Sequence, residues 1–97
     1  MARLVLSEAA DRDLIEIGDF GIERWGVDRA ATYVQTLQES FDLLLRHPFA
    51  GRARGEIAPD LRSLRHRSHI ILYRVDGDSV IVARILHVAA DPESSLL

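Results

Sequence analysis

Five arginines fall within sixteen residues, Arg52, Arg54, Arg62, Arg65 and Arg67, and only Glu56 and Asp60 stand against them. Guanidinium groups grip phosphate and carboxylate oxygens through paired donors, so this cluster suits a phosphate backbone or an acidic partner surface. It equally suits a solvated loop and edge strand, and salt separates the two, because steering charge loses its effect as ionic strength rises. Arg74 and Arg84 lie inside apolar runs, where pairing with a carboxylate or lying flat over apolar surface is the commoner use. Tyr73 sits in the first of those runs and His87 ends the second. His66 and His69 are three residues apart across a turn, a spacing that holds a metal ion only when further ligands converge. There is no cysteine and no other histidine motif, so the sequence assigns no metal and no cofactor. All twelve basic residues are arginine. A lysine base, a Schiff-base lysine and a P-loop lysine are therefore excluded.

These residues must be positioned by a small number of elements. A chain of 97 residues, 47% hydrophobic and 28% charged, builds one domain over residues 1–97 with a single core. The net charge of -3 weighs against broad, sequence-independent coating of nucleic acid. No signal-peptide pattern and no membrane-spanning apolar run is present, which predicts a cytoplasmic protein with no membrane contact.

Two β-branched runs, His69 to Val75 and Ser79 to His87, flank Asp76-Gly77-Asp78 and predict an antiparallel hairpin. If Val75 faces Val80, period-2 alternation puts Ile71, Tyr73, Val75, Val80, Val82, Arg84 and Leu86 on one face. Ile70, Leu72, Arg74, Ile81, Ala83, Ile85 and His87 then share the other. One face must hold helices, and the other must meet a strand, a tail or a partner.

Upstream, Arg3 to Leu6 reads as a first strand, and Ser7 as the N-cap of a helix whose stripe is Ala10, Leu14, Ile17, Gly21 and Ile22, stopped at Gly26. Asp28 caps a second helix running to about Arg46, with Ala30, Val34, Leu37, Phe41, Leu44 and Leu45 on its stripe. Phe20 and Leu43 fall outside the two stripes. Phe49 to Asp60 reads as a loop, Leu61 to Arg67 as an edge or half-exposed strand, and Ala89 to Leu97 as an irregular tail. The order β-α-α-β-β-β is an α+β layout, a helical hairpin packed on a small antiparallel sheet.

Several short pieces then fall into a recognisable order. They are Leu-Ser-x-x-Ala-x-x-Asp-Leu-x-x-Ile from Leu6 to Ile17, Glu-Arg-Trp-Gly from Glu23, Tyr33 with Leu37, Pro48 with Gly51, and Leu61-Arg62. Ile-Leu-Tyr-Arg-Val ending at Val75 and Arg-Ile-Leu-His ending at His87, followed by Asp91, complete the set. Over nearly the whole chain these resemble the ParE branch of the RelE/ParE toxin superfamily, toxins of bacterial toxin-antitoxin operons. The resemblance implies the fold already read from periodicity and a toxin that traps DNA gyrase on cleaved DNA. It also implies neutralisation by a ParD-like antitoxin whose C-terminal segment folds onto the toxin. Contact with DNA would be indirect, through gyrase or the antitoxin complex. Under this reading Arg52, Arg54, Arg62, Arg65, Arg67, Arg84 and His87 are candidates for target contact, and Phe20 and Leu43 for the antitoxin.

The RelE branch of the same superfamily cleaves messenger RNA on the ribosome, and such cleavage needs a base, cations for the phosphorane charge and an acid. Here Glu56 would be the base, Arg62, Arg65 and Arg84 the clamps, and His87 or Tyr73 the acid. Ile70 stands where ribonuclease relatives carry an arginine, which counts against this alternative. A third reading keeps the chain as half of a toxin-antitoxin pair that represses its own operon.

Overall fold

The structure, a computed structural model, describes residues 2–90. Asp91 and the tail to Leu97, part of the expected irregular C-terminus, lie outside the described residues. Strand β1 (Arg3–Leu6) leads through Ser7 into helix α1 (Glu8–Trp25). The Ser7 hydroxyl accepts the Ala10 N–H at 3.0 Å, the N-cap bond expected of it. Gly26, at φ +89°, closes α1 with its N–H on the Ile22 carbonyl and is also the residue before helix α2 (Val27–Arg46). Only glycine takes that backbone geometry without a Cβ penalty, and the helices therefore fold back across a single residue. Asp28, expected as the cap of α2, sits inside its first turn instead, and Gly26 is the cap with no side-chain bond.

The remaining strands are β2 (Arg52–Ala53), β3 (Arg62–His66), β4 (His69–Asp76) and β5 (Ser79–His87), followed by one 3-10 turn at Val88–Ala90. The sheet order is β1-β5-β4-β3-β2. The layout read from the sequence holds, with two additions: β1 runs parallel to β5, and the loop contributes the short β2, which covers the edge of β3.

The β4–β5 hairpin turns at Gly77, φ +57°, with Val75 opposite Val80 as expected. Further along, alternation fails. Tyr73 pairs with Val82 but Leu72 pairs with Arg84, so Ala83 is an extra residue bulged out of the ladder. Beyond it every side chain changes face. Ile85 and His87 come round to the helix side, where Ile85 joins Ile71, Tyr73, Val80 and Val82 under Ala10, Leu37, Phe41 and Leu44. Leu86 goes to the opposite face with Ile70, Leu72 and Leu61. The Ser7 hydroxyl donates to the Ala83 carbonyl at 2.7 Å, so one side chain caps α1 and fastens it to the bulge.

The second face of the sheet is covered by the chain itself: Ile57, Ala58 and Val88 pack on Leu61, Ile70 and Leu72. The segment read as an open loop is thus the lid of a second, smaller core. At the other end Tyr73, wholly buried, accepts the Gly51 N–H at 2.8 Å and donates to the Pro48 carbonyl at 2.8 Å. A Cβ on Gly51 would stand 2.6 Å from that hydroxyl oxygen. Tyr73→Phe should leave two main-chain groups without their partner and lower unfolding free energy by about 1–3 kcal/mol. Urea denaturation measures it, and an unchanged midpoint would mean that water replaces the hydroxyl.

Candidate functional site

The bulge aims β5 at α1, and a buried acid receives it. Asp13 takes Arg84 through both of its oxygens, Nε at 2.8 Å and Nη2 at 3.0 Å, and also accepts the Ile85 N–H at 2.9 Å. Burial by itself would raise the Asp13 carboxyl, but the Arg84 hydrogen bond, the Ile85 N–H and the charges of Arg84 and Arg12 outweigh it and hold the group below its ordinary range. Arg84 accordingly stays charged, about half exposed on its side chain, at the rim of a groove of about 600 Å3.

The groove runs between α1 and the C-terminal end of the sheet. Ile17, Ile85 and Leu86 give it apolar surface, Phe20, Trp25 and Tyr33 aromatic surface, and Arg24, Arg84, Glu16, His69 and His87 its charged and titratable groups. Phe20 is 57% exposed and meets Trp25 edge to face at 6.1 Å.

One end of the groove rests on a rank of histidines. His66, His69 and His87 occupy paired positions on β3, β4 and β5. Helix α2 meets them with hydroxyls: Tyr33 bonds His69 Nδ1 at 2.6 Å, while Thr36 and Ser40 bond His66 at 2.8 and 3.0 Å. The Thr36 hydroxyl donates to the Tyr33 carbonyl, so it must accept from His66 Nε2. The His69 and His87 rings meet edge to face at 5.6 Å. Burial is the first cause lowering both His66 and His69 below the usual 6.5. Arg67 adds to it at His66 against an opposing Glu39, and His87 and His66 add to it at His69. Among the described residues no group of three metal-ligating side chains converges on one point.

The arginine cluster does not survive folding as one patch. Arg54 is 2% exposed and is withdrawn from target contact: its Nε donates to Glu56 at 2.7 Å and its Nη1 to Ser63 at 3.1 Å, beneath the second core. Arg52 is also drawn to Glu56, at 3.9 Å. Arg62 donates to the Gly51 carbonyl at 2.8 Å and lies over the Phe49 ring at 4.9 Å. Arg65 and Arg67 are exposed about one end of β3, roughly 10 Å or more from Arg62 at strand spacing. Arg67 holds φ +52° in the tight turn to β4, with its carbonyl accepting Arg65 Nε at 3.1 Å.

The cleavage constellation disperses with it. The Arg54 hydrogen bond holds Glu56 below the usual carboxylate range, which makes it a poor base. Tyr73 is sealed in the core, Arg84 is fastened to Asp13, and Ile70 is buried in the second core. Of the residues singled out in the sequence, Phe20, Arg84 and His87 share the groove, while Leu43 is half-buried and lies outside it. Asp13, Tyr33 and His69 were not singled out. Asp13 carried a signal all the same, an acid one helical turn from Ala10 and Ile17 on the buried arc.

The family model described as ParE toxin of type II toxin-antitoxin system, parDE, matches residues 4–92. Toxin ParE1 of Mycobacterium tuberculosis (strain H37Rv) is 43% identical over 96 residues, spanning 98% of each chain. Toxin ParE1 of Caulobacter vibrioides is 33% identical over 94% of each. Among solved structures, the chromosomal ParDE TA system from P. aeruginosa superposes with a TM-score of 0.79 at 27% identity, over 91% of this chain and 97% of that one. The RelBE2 toxin-antitoxin complex of M. tuberculosis shares the fold, at a TM-score of 0.63 and 24% identity, over 89% and 96%.

The histidine rank gives stability a definite pH dependence. The unfolded chain takes up protons near pH 6.5 that folded His66 and His69 resist, so their contribution is complete above that value and is lost as pH falls through the folded values. The corresponding window for Asp13 lies lower, below 3.8. The melting temperature should be level above about pH 7 and fall by several degrees toward pH 5. In the double variant His66→Asn/His69→Gln that slope should flatten, and a wild-type profile level to pH 5 would count against the cause given.

Proposed function

The chain belongs to the ParE toxin family of type II toxin-antitoxin systems, and from that premise we propose that it inhibits DNA gyrase in the cytoplasm without cutting nucleic acid. A ParD-like antitoxin is the partner that neutralises it. The family match over residues 4–92 carries this reading, together with relatives named as ParE toxins that align end to end. The dispersal of Glu56, Tyr73 and Arg84 into structural contacts supports an inhibitor over a ribonuclease, because no base, clamp and acid face a common point. The solved neighbours are toxin-antitoxin assemblies, which supports a protein antitoxin. No helix among the described residues is long and apolar enough to cross a membrane.

Arg65 and Arg67, exposed at the β3–β4 turn, are what remains of the basic cluster to steer toward a gyrase-DNA complex. The purified protein is expected to stop supercoiling of plasmid with cleaved DNA accumulating, while translation in a cell extract continues. The double variant Arg65→Ala/Arg67→Ala should weaken inhibition about tenfold at low salt and little at high salt. Active gyrase beside cut messenger RNA would overturn the proposal.

A further inference from the structure

The groove beside α1 shows in its hydrogen bonds what kind of occupant it accepts. A backbone N–H can only donate, so His87 Nδ1, which receives the Ala89 N–H at 3.1 Å, is unprotonated and Nε2 carries the proton. The Tyr33 oxygen accepts the Ser68 N–H, so its own hydrogen goes to His69 Nδ1, and His69 likewise carries its proton on Nε2. Arg84 commits Nε and one Nη2 hydrogen to Asp13, and its Nη1 has no partner among the described residues. Three lining residues thus keep donors in reserve. Of the lining acids Asp13 is saturated, and Glu16 acts on Arg84 through its charge without a hydrogen bond.

The apolar half of the groove is shaped as a corner. Phe20 and Trp25 stand at 90°, with the Arg24 guanidinium 6.0 Å from the Phe20 ring and that of Arg29 5.7 Å from the Trp25 ring. A nucleobase stacks on an open ring face or between parallel faces, whereas a right-angled corner suits a branched aliphatic side chain. Helix α1 adds Glu16, Asp19 and Glu23 along the same side of the molecule. A repeating phosphate backbone would be repelled there, while a single carboxylate beside Arg84 would not.

We infer that the groove receives a peptide segment of the partner protein, with an apolar side chain in the Phe20–Trp25 corner and a carboxylate bound by Arg84 Nη1 and His87 Nε2. This rests on the reading of a ParD-like antitoxin as partner and names the chemistry of the segment that docks. The carboxylate supplies what the uncommitted donors lack, and burying Phe20 and Trp25 supplies affinity of the kind aromatic anchors give.

Short peptides selected by display on the full chain test it. The tightest binder is titrated calorimetrically beside a version with its Asp and Glu residues changed to Asn and Gln. The acidic peptide should bind about tenfold tighter. Arg84→Lys keeps a cation for Asp13 but loses the second edge of the guanidinium, and His87→Ala alters an exposed position. Either should bring the ratio below about threefold with the far-ultraviolet circular dichroism unchanged. Phe20→Ala should weaken both peptides alike. A selection that yields no binder, equal binding of the two peptides to the wild-type chain, an unchanged ratio in both variants, or tighter binding of a dT oligonucleotide would overturn the inference. A ParD-like antitoxin added to the acidic complex should displace the peptide. One that binds without displacing it overturns the assignment of the groove to the antitoxin. One that fails to bind at all overturns the reading of the partner, and the peptide titrations alone then decide the groove.

Discussion

The single extra residue in β5 sets the geometry on which the groove depends. By bulging at Ala83 the strand changes face halfway along, which delivers Ile85 to the main core and His87 to the histidine rank. A bulge leaves main-chain groups without ladder partners, and each is met from the segment that begins α1. The Ser7 hydroxyl takes the Ala83 carbonyl, the Ser7 N–H takes the Val82 carbonyl, and Asp13 takes the Ile85 N–H. An isolated buried carboxylate would be costly. Asp13 is held ionised because three donors converge on it, two of them from the guanidinium of Arg84. Helix, bulge and ion pair therefore form one unit, and removing any member leaves another buried group unsatisfied.

The same bulge marks where the sequence stops being readable. The hairpin turn, both helices, the Ser7 cap and the Val75–Val80 register follow from local rules, and the structure has them. Ala83 carries no side-chain signal for a bulge, because the extra residue is specified by Ser7 and Asp13, more than seventy positions away in the chain. Arg54 was misread for a related reason. A loop arginine reads as exposed until Ile57, Ala58 and Leu61 are known to fold over the sheet and carry Glu56 to its guanidinium. The alignment of His66, His69 and His87 was hidden likewise, since it depends on the bulge having brought His87 to the helix side.

Charge is distributed to match this architecture. Three of the five clustered arginines are used within the fold, Arg54 on Glu56 and Ser63, Arg52 toward Glu56, and Arg62 on main-chain carbonyls and the Phe49 ring. Their planar, multiply donating heads suit that use in a way a lysine ammonium would not. The density of arginine in the sequence therefore overstates the positive surface. The exposed cations Arg65 and Arg67 stand near the histidine end of the sheet, and Arg67 lines a hollow with Trp25 and Tyr33 beside the groove.

That end of the sheet is closed by polar contacts where the rest of the molecule uses apolar packing. Between α2 and the strand ends, Thr36, Ser40 and Tyr33 meet imidazoles, while one to two turns further along α2 Leu37, Phe41 and Leu44 fill the core. Hydrogen bonds of this kind contribute about 1 kcal/mol each when made and cost more when left unmade, so the region is held in one arrangement by geometry more than by burial. Regions with few apolar contacts open before the core does. A segment seated over Phe20, Trp25 and His87 would bury the surface this end lacks, and by binding the folded state alone it would raise stability with its concentration. Partner binding and resistance to unfolding are then expressions of the same missing apolar cover, located at the groove the bulge creates.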